Sequence, residues 1–227
     1  MTATVFLTKV PVHSLLSRRI DKKKSFVPSS IDSPLFRHRA VMSLFGEFDA
    51  NPRQTGKILF RVDFTAGHPP YFLIQSSVEP VHLGELRGAE SRTVELFDLE
   101  PGQPVVFRVA VNAVRRKREQ HDGKMKTIVT PVPYDQEIDA IEQGRTTITP
   151  WIQNKLAGAL KEVQLVNHQR EVLKATERES SRMAIQVDVL DGAALVDDPE
   201  ALNRLILEGV GREKAYGCGM LSVKAIP

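Results

Sequence analysis

The feature that most constrains the fold is a repeated order of short apolar runs, in which the second half of the chain echoes the first. The first half has four strand-like runs, at 4–10, 57–63, 71–77 and 93–98. A helix is expected between the first two runs, with Ser33 as its N-cap and Pro34 at its first position. A short helical segment near 80–87 precedes the last run. This is the β-α-β-β-α-β order of a ferredoxin-like unit.

The second half repeats that order after a hinge marked by Pro101, Gly102 and Pro104. Its strand-like runs lie at 105–112, 127–132, 163–173, 183–190 and 220–226. Helices are expected around 150–160 and at 199–208, a basic loop before residue 127, and a long loop at 12–32. We therefore predict an α+β fold of two tandem ferredoxin-like domains, residues 1–100 and 101–227.

Composition excludes several classes of protein. No stretch approaches eighteen consecutive apolar residues, and the start, MTATVFLTKV, lacks the pattern of a signal peptide. We therefore expect a cytoplasmic protein without membrane contact. The one cysteine, Cys218, excludes internal disulfides and Cys-based zinc sites, and its position between two glycines indicates an inert small residue.

Positive charge is concentrated in two places, although the net charge is only +3. The sequence RRKREQHDGKMK, from Arg115 to Lys126, carries six cations and two carboxylates. A second cluster precedes the first helix and contains Arg18, Arg19, Lys22, Lys23 and Lys24. Both are candidate phosphate-contacting surfaces. The alternative is that these are solvated loops whose charge serves only solubility.

His38 is the most interesting titratable group. On a helix that starts at Pro34, it shares a stripe with Leu35, Met42 and Phe45. Such a histidine could be a core residue satisfied by a hydrogen bond. A partly sheltered imidazole is also suited to general acid–base chemistry near neutral pH. Spacing alone leaves both interpretations open.

A glycine-rich segment, residues 209–219, follows the last expected helix. It contains Gly209, Gly211, Gly217 and Gly219 together with the cations Arg212 and Lys214. The segment lacks the GK[ST] ending of a P-loop, and a helix precedes it rather than follows it, so it is no dinucleotide fingerprint. Tight turns and anion binding remain the two explanations.

Metal-ligand spacings are missing from the sequence. There is no HExxH, no CxxC pair and no calcium loop. The carboxylates of Asp188, Asp191, Asp197 and Asp198 follow no ligand spacing and are interpreted as strand-end and cap residues. We therefore expect no metal and no other cofactor, and if RNA is cut, a reaction without two-metal chemistry.

Four sequence blocks together resemble a known family. They are FLTKVPV at the start, PLFRHRAVMSLF in the first helix, FRVAVNAVRRK at the domain junction, and GVGREKAYGCGMLSV at the end. Their order and spacing are similar to those of the CasE family, the repeat-processing endoribonucleases of type I-E CRISPR systems within the wider RAMP group. The resemblance spans essentially the whole chain.

The resemblance implies an enzyme that binds the hairpin of a CRISPR repeat and cuts at its 3′ base without a metal. The products would carry a 2′,3′-cyclic phosphate and a 5′-hydroxyl. The guide RNA would stay bound to the enzyme, which would be a subunit of Cascade. His38 falls where the family keeps its catalytic histidine. Some members place a tyrosine three residues earlier, where this chain has Leu35.

If the chain binds and cuts RNA, its clustered cations have expected roles. Lys22, Lys23 and Lys24 are candidates to stabilise charge at the scissile phosphate. Arg212 and Lys214 are expected near the cleavage site. Four further residues are expected to contact the RNA stem as part of a protruding basic hairpin, namely Arg115, Arg116, Lys117 and Arg118.

Three other classes of protein remain as alternatives. The strongest is a non-catalytic RNA-binding RAMP subunit in which His38 is only structural. An RRM-type binder of single strands is disfavoured, because aromatic residues make up only 6% of the chain. A small-molecule enzyme has no visible cofactor motif.

Overall fold

The computed structural model describes residues 4–16, 30–47, 52–96, 98–121, 123–175 and 183–226. The strands in these ranges are β1 (Thr4–Pro11), β2 (Leu59–Asp63), β3 (Tyr71–Ser76), β4 (Glu90–Glu95), β5 (Pro104–Val111), β6 (Val114–His121), β7 (Lys124–Pro131), β8 (Leu160–Lys174), β9 (Ala184–Val196) and β10 (Leu221–Ala225). The helices are α1 (Val12–Leu16), α2 (Pro34–Met42), α3 (Pro52–Thr55), α4 (Ile138–Glu142), α5 (Ile148–Leu156) and α6 (Pro199–Glu208), and a 3-10 helix covers Lys214–Tyr216.

The strands form two four-stranded sheets with the same connectivity. The first has the order β2-β3-β1-β4 and the second the order β10-β5-β9-β8, and neighbouring strands are antiparallel in both. In each sheet the first and third strands of the unit lie at the centre, which is the ferredoxin-like arrangement. The predicted tandem ferredoxin-like fold is confirmed. We propose that the two domains divide near residue 100.

The prediction of a short helix near 80–87 is wrong. Successive turns occupy that stretch, with Leu86 N donating to Leu83 O at 2.9 Å and Ala89 N donating to Leu86 O at 3.1 Å. Pro80 and the glycines that follow it break a helix, and Gly88 adopts φ +77°. The strand expected at 93–98 accordingly lies earlier, at Glu90–Glu95.

The prediction of a long loop at 12–32 is also partly wrong. Helix α1 begins directly after β1, because Val12 and Leu15 bury their side chains in the first core. Residues 17–29 of that stretch lie outside the described residues.

The basic stretch before residue 127, which the order of elements showed as a loop and the binding hypothesis as a protruding hairpin, is a β-hairpin. Strands β6 and β7 pair from Val114↔Pro131 to His121↔Lys124. Every described residue of β7 is exposed, so the ribbon projects from the body. An exposed ribbon needs no apolar alternation, which is why periodicity missed β6.

Charged side chains join the two domains. Arg61 on β2 donates to Asp63 at 2.8 Å and to the Ser222 hydroxyl on β10 at 2.6 Å. Arg108 on β5 lies 3.7 Å from Asp63 and 2.6 Å from Asp191. Burial alone would raise the pKa of Asp191, but hydrogen bonds from Arg108 and Asn167 outweigh it and lower that pKa. The network fixes the first sheet against the second.

Gly192 offers a test of the second sheet. A Cβ at this position would lie 2.5 Å from the Gln164 carbonyl oxygen and 2.6 Å from the Phe107 ring, beside the irregular pairing of β8 with β9. We expect Gly192→Ala to lower the free energy of unfolding by about 1–3 kcal/mol in urea denaturation, because the extra methyl overpacks the core. The control is Gly84→Ala, where nothing lies within 4 Å of the new Cβ. Equal stability of the two variants would contradict this packing.

Candidate functional site

Helix α2 begins where the sequence predicts and presents His38 at its surface. The Ser33 hydroxyl accepts a hydrogen bond from Phe36 N at 3.1 Å, and Pro34 occupies the first turn. The helix buries Phe36, Ala40 and Val41 against the first sheet, whereas His38 is only partly buried. Phe45 of the same stripe is buried in the first core, but His38 is only partly buried, so a purely structural core histidine is disfavoured.

Arg37, the neighbour of His38, fixes the helix to the second domain. Its side chain is 1% exposed, and its guanidinium contacts both carboxylate oxygens of Glu171 on β8, at 2.8 and 3.1 Å. Its Nε donates to the Ile31 carbonyl at 2.7 Å. A bidentate pair of this kind fixes both the position and the rotation of α2.

The imidazole of His38 meets the glycine-rich segment. Its Nδ1 lies 3.1 Å from the Ala215 carbonyl oxygen, and its ring centroid lies 6.1 Å from that of Tyr216, at an interplanar angle of 58°. A carbonyl only accepts hydrogen bonds, so Nδ1 carries the proton and the neutral ring has its lone pair on Nε2. The backbone thus selects the tautomer of a half-exposed imidazole.

The glycine-rich segment packs close to the first domain. Gly209 has φ +79°, and a Cβ there would lie 2.8 Å from the Leu59 side chain and 2.9 Å from the Gly219 carbonyl. Gly217 has φ +99° and lies against Phe60. These contacts need residues without a side chain, because a larger residue would push the segment away from β2. Close packing thus explains two of the glycines.

The two cations of this segment have different surroundings. The Lys214 ammonium donates to the Glu208 carbonyl at the end of α6, at 2.6 Å. Arg212 is exposed. Lys214 therefore caps a helix in this structure, and Arg212 is the better placed of the two for an external ligand.

The four predicted stem-contacting residues all lie on β6. Arg115 donates to the Thr146 carbonyl at 2.7 Å, and Arg116 pairs with Glu213 of the glycine-rich segment at 3.0 Å. Lys117 and Arg118 are exposed farther along the hairpin. The hairpin and the glycine-rich segment therefore meet at one ion pair. Lys22, Lys23 and Lys24 lie outside the described residues.

A buried carboxylate holds the root of the basic hairpin (β6–β7). Asp188 is fully buried and accepts hydrogen bonds from His168 Nε2 at 2.8 Å and Arg170 Nε at 2.6 Å. Its other oxygen accepts from Ala113 N, just before β6, at 3.2 Å. Arg170 also donates to the Val132 carbonyl, just after β7, at 2.6 Å. Both ends of the hairpin are thus tied to the second sheet.

Sequence reasoning missed Tyr216, although it lies in a segment already selected for its glycines. Its ring faces His38 only because the 3-10 helix turns back toward α2, and no periodicity reveals such a contact. The neighbouring Cys218 is fully buried, and burial raises the pKa of its thiol. The thiol stays protonated at neutral pH and is a poor nucleophile, as the sequence indicated.

Two further findings concern the described residues alone. None of their helices is long and apolar enough to cross a membrane. Their His, Cys, Asp and Glu side chains form no group of three that could hold a metal ion.

The duplicated sheet order defines the class of tandem ferredoxin-like proteins. Within that class the family is also shown. The family model described as CRISPR associated protein matches residues 7–225. The chain therefore belongs to that family.

Known proteins of the same kind are similar over most of the chain. The Cascade subunit CasE of Escherichia coli is 28% identical over 158 residues, which cover 67% of this chain and 73% of the relative. The CRISPR-associated endoribonuclease Cse3 of Thermus thermophilus is 26% identical over 181 residues, covering 74% and 79% respectively. A solved structure of Thermus thermophilus Cse3, bound to an RNA that represents a pre-cleavage complex, has a TM-score of 0.61 at 22% identity and covers 97% of this chain and 99% of that one.

The pair that fixes α2 can be tested by Glu171→Gln. The substitution leaves the Arg37 guanidinium buried without a counter-charge, although the amide keeps one acceptor oxygen. We expect the free energy of unfolding to fall by about 2–3 kcal/mol in chemical denaturation. The matched control is Glu119→Gln, which breaks an ion pair with Lys117, whose side chain is 80% exposed. We expect this control to cost less than about 0.5 kcal/mol, and equal losses would contradict the anchoring role of Arg37.

Proposed function

We propose that this protein is an endoribonuclease that cuts precursor CRISPR RNA at the 3′ base of the repeat hairpin. The observation that carries the proposal is the half-exposed His38 imidazole, held in one tautomer by the Ala215 carbonyl. The names of its relatives support the reaction and the setting, since one is an endoribonuclease and another a Cascade subunit. The mature guide RNA stays bound, and the protein serves as a subunit of Cascade.

The proposed reaction needs no metal, because the substrate supplies its own nucleophile. The 2′-hydroxyl oxygen attacks the adjacent phosphorus, and the bond from phosphorus to the 5′-oxygen of the next nucleotide breaks. The products are a 2′,3′-cyclic phosphate and a 5′-hydroxyl. The enzyme must align the attacking and leaving oxygens and move two protons, one from the 2′-hydroxyl and one to the departing 5′-oxygen.

His38 suits either proton transfer. With Nδ1 donating to Ala215, neutral Nε2 can accept the proton of the 2′-hydroxyl, and the protonated ring can donate from Nε2 to the 5′-oxygen. The aliphatic side chain of Leu35 has no acidic or basic group and cannot assist in proton transfer. If His38 carries out one of the two proton transfers, Tyr216 is the candidate for the other. Its ring lies beside that of His38, on the 3-10 helix of the glycine-rich segment.

Binding in this proposal rests on phosphate contacts. The basic hairpin presents Arg115, Arg116, Lys117 and Arg118 to the RNA stem, whose deep and narrow major groove hides its base edges. Arg212 and Lys214 lie at the glycine-rich segment beside His38. Lys22, Lys23 and Lys24 remain candidates for the scissile phosphate on sequence position alone. Cutting at the base of the stem leaves most phosphate contacts in place, so the product stays bound.

A second candidate is an RNA-binding subunit without activity. Leu35 favours it, because some relatives carry a tyrosine there. The His38 surroundings favour the enzyme, and the next experiment separates the two.

We expect His38→Ala to slow cleavage of a labelled repeat-hairpin RNA by about 10²–10⁴-fold in excess EDTA, because a general acid or base contributes about that factor. Single-turnover rates and binding are measured together. Binding should persist, since His38 is one small group among many phosphate contacts. The matched control is the exposed His68→Ala, which should cut at the wild-type rate.

Three results would contradict this proposal. Equal cleavage by wild type and His38→Ala would make His38 structural. Binding without cleavage by the wild type would favour the subunit without activity, and loss of wild-type cleavage in EDTA would contradict metal independence. Tyr216→Phe keeps the ring and removes only the hydroxyl, so an unchanged rate would exclude Tyr216 as a proton donor.

Replacing Arg115, Arg116, Lys117 and Arg118 by alanine should weaken binding of the repeat hairpin and flatten its salt dependence. The slope of log affinity against log salt should shrink by about 1 for each phosphate that the variant no longer neutralises. The control removes four exposed cations on other elements, Arg87, Arg92, Lys161 and Lys224. An unchanged slope in the hairpin variant, or an equal change in the control, would contradict the role of the hairpin.

A further inference from the structure

A cavity of about 220 Å³ opens beside the root of the basic hairpin. Helix α5 contributes Trp151 and Lys155, β6 contributes Arg116, and the glycine-rich segment contributes Gly211 and Arg212. Three elements of the second domain thus converge on one small space. None of the roles proposed above uses Trp151 or Lys155.

Trp151 forms a fixed aromatic wall of this cavity. Its ring is half-buried and packs against the core of the second domain. The Lys155 ammonium lies 5.5 Å from the ring centroid on the same helix. Trp151 is also the only tryptophan of the chain. A ring held by the core offers a flat surface at little cost in conformational entropy.

Positive charge surrounds the aromatic wall. Lys155 and Arg212 are exposed, and the Arg116 side chain is 41% exposed. The Glu213 carboxylate lies 3.0 Å from the Arg116 guanidinium. A phosphate that enters the cavity can replace Glu213 as the partner of Arg116, because an exposed pair of this kind contributes little stability.

We propose that this cavity binds one unpaired nucleotide next to the repeat stem, with its base stacked on Trp151 and its phosphate held by Arg116 and Arg212. The inference rests on the proposed function. The volume lies below the roughly 300–1,000 Å³ of pockets for drug-sized ligands, which suits a single base. A base inside a duplex has both faces covered by its neighbours, whereas an unpaired base in the flank has a free face for the indole.

The position of the cavity agrees with this assignment. Gly211 lines the cavity, and Ala215, four positions later in the chain, contacts His38. Four residues span at most about 14 Å. A scissile phosphate at His38 therefore lies within a few nucleotides of the cavity.

The fluorescence of Trp151 reports directly on the proposed stacking. The full chain carrying His38→Ala, which should keep bound RNA intact, is titrated with four RNAs: a blunt repeat stem-loop, the same stem-loop with a 5′ flank, with a 3′ flank, and with both flanks made abasic. We expect quenching by at least one flanked RNA and none by the blunt or abasic RNAs. The abasic RNA keeps the phosphates, so it separates stacking from charge.

Variants measure the strength of the contact. Trp151→Ala should weaken binding of the flanked RNA by about 5- to 150-fold, the range for one base stacked on an aromatic ring. Its affinity for the blunt stem-loop should not change, and Trp151→Phe should keep most of the affinity for the flanked RNA. The cation is tested by Arg212→Ala, which should weaken binding of both the flanked and the abasic RNA.

Three results would overturn the inference: quenching by the blunt stem-loop, quenching by none of the RNAs, or equal affinity of Trp151→Ala and wild type for the flanked RNA. Its failure differs from failure of the proposed function. If the cavity is not a nucleotide site, wild type still binds and cuts the stem-loop while Trp151 gives no signal. If the proposed function is wrong, the wild type does not cut the repeat, whether or not a flanked RNA quenches Trp151.

Discussion

The ion pair between Arg37 and Glu171 is the interaction on which the candidate site depends. It joins helix α2 of one domain to the outer strand β8 of the other, and the Arg37 guanidinium is almost completely buried. Removing a charge from water is costly, so this arginine is stable only with its bidentate partner in place. Since His38 is the next residue, the same pair fixes where its imidazole meets the glycine-rich segment.

The glycine-rich segment connects the three parts of the proposed RNA surface. Ala215 contacts His38, Glu213 pairs with Arg116 at the root of the basic hairpin, and Gly211 lines the cavity beside Trp151. Gly209 and Gly217 let the segment lie against the first domain, where any side chain would collide with Leu59 or Phe60. These two glycines therefore serve close packing, and the exposed Arg212 is the cation that we propose for the ligand.

The sequence predicted the repeated fold because apolar periodicity and the Ser33 and Pro34 signals are local. His38 stood out as a titratable group on an expected helix, and the resemblance implied its catalytic role, whereas spacing alone left a structural role open. The helix near 80–87 failed because Pro80 and the glycines after it outweigh its apolar content. Contacts between distant residues could not be predicted at all. Arg37 and Glu171 lie 134 residues apart, and nothing in either segment indicates the other.

The most direct test of the proposed chemistry removes one 2′-hydroxyl group from the substrate. A repeat hairpin is prepared with a single 2′-deoxynucleotide immediately before the scissile phosphate, and its cleavage and binding are compared with those of the all-RNA hairpin. If the 2′-hydroxyl is the nucleophile, the deoxy substrate binds with nearly the same affinity and is not cut at that site. Cleavage of the deoxy substrate at that phosphate would contradict attack by the 2′-hydroxyl and would require a different nucleophile.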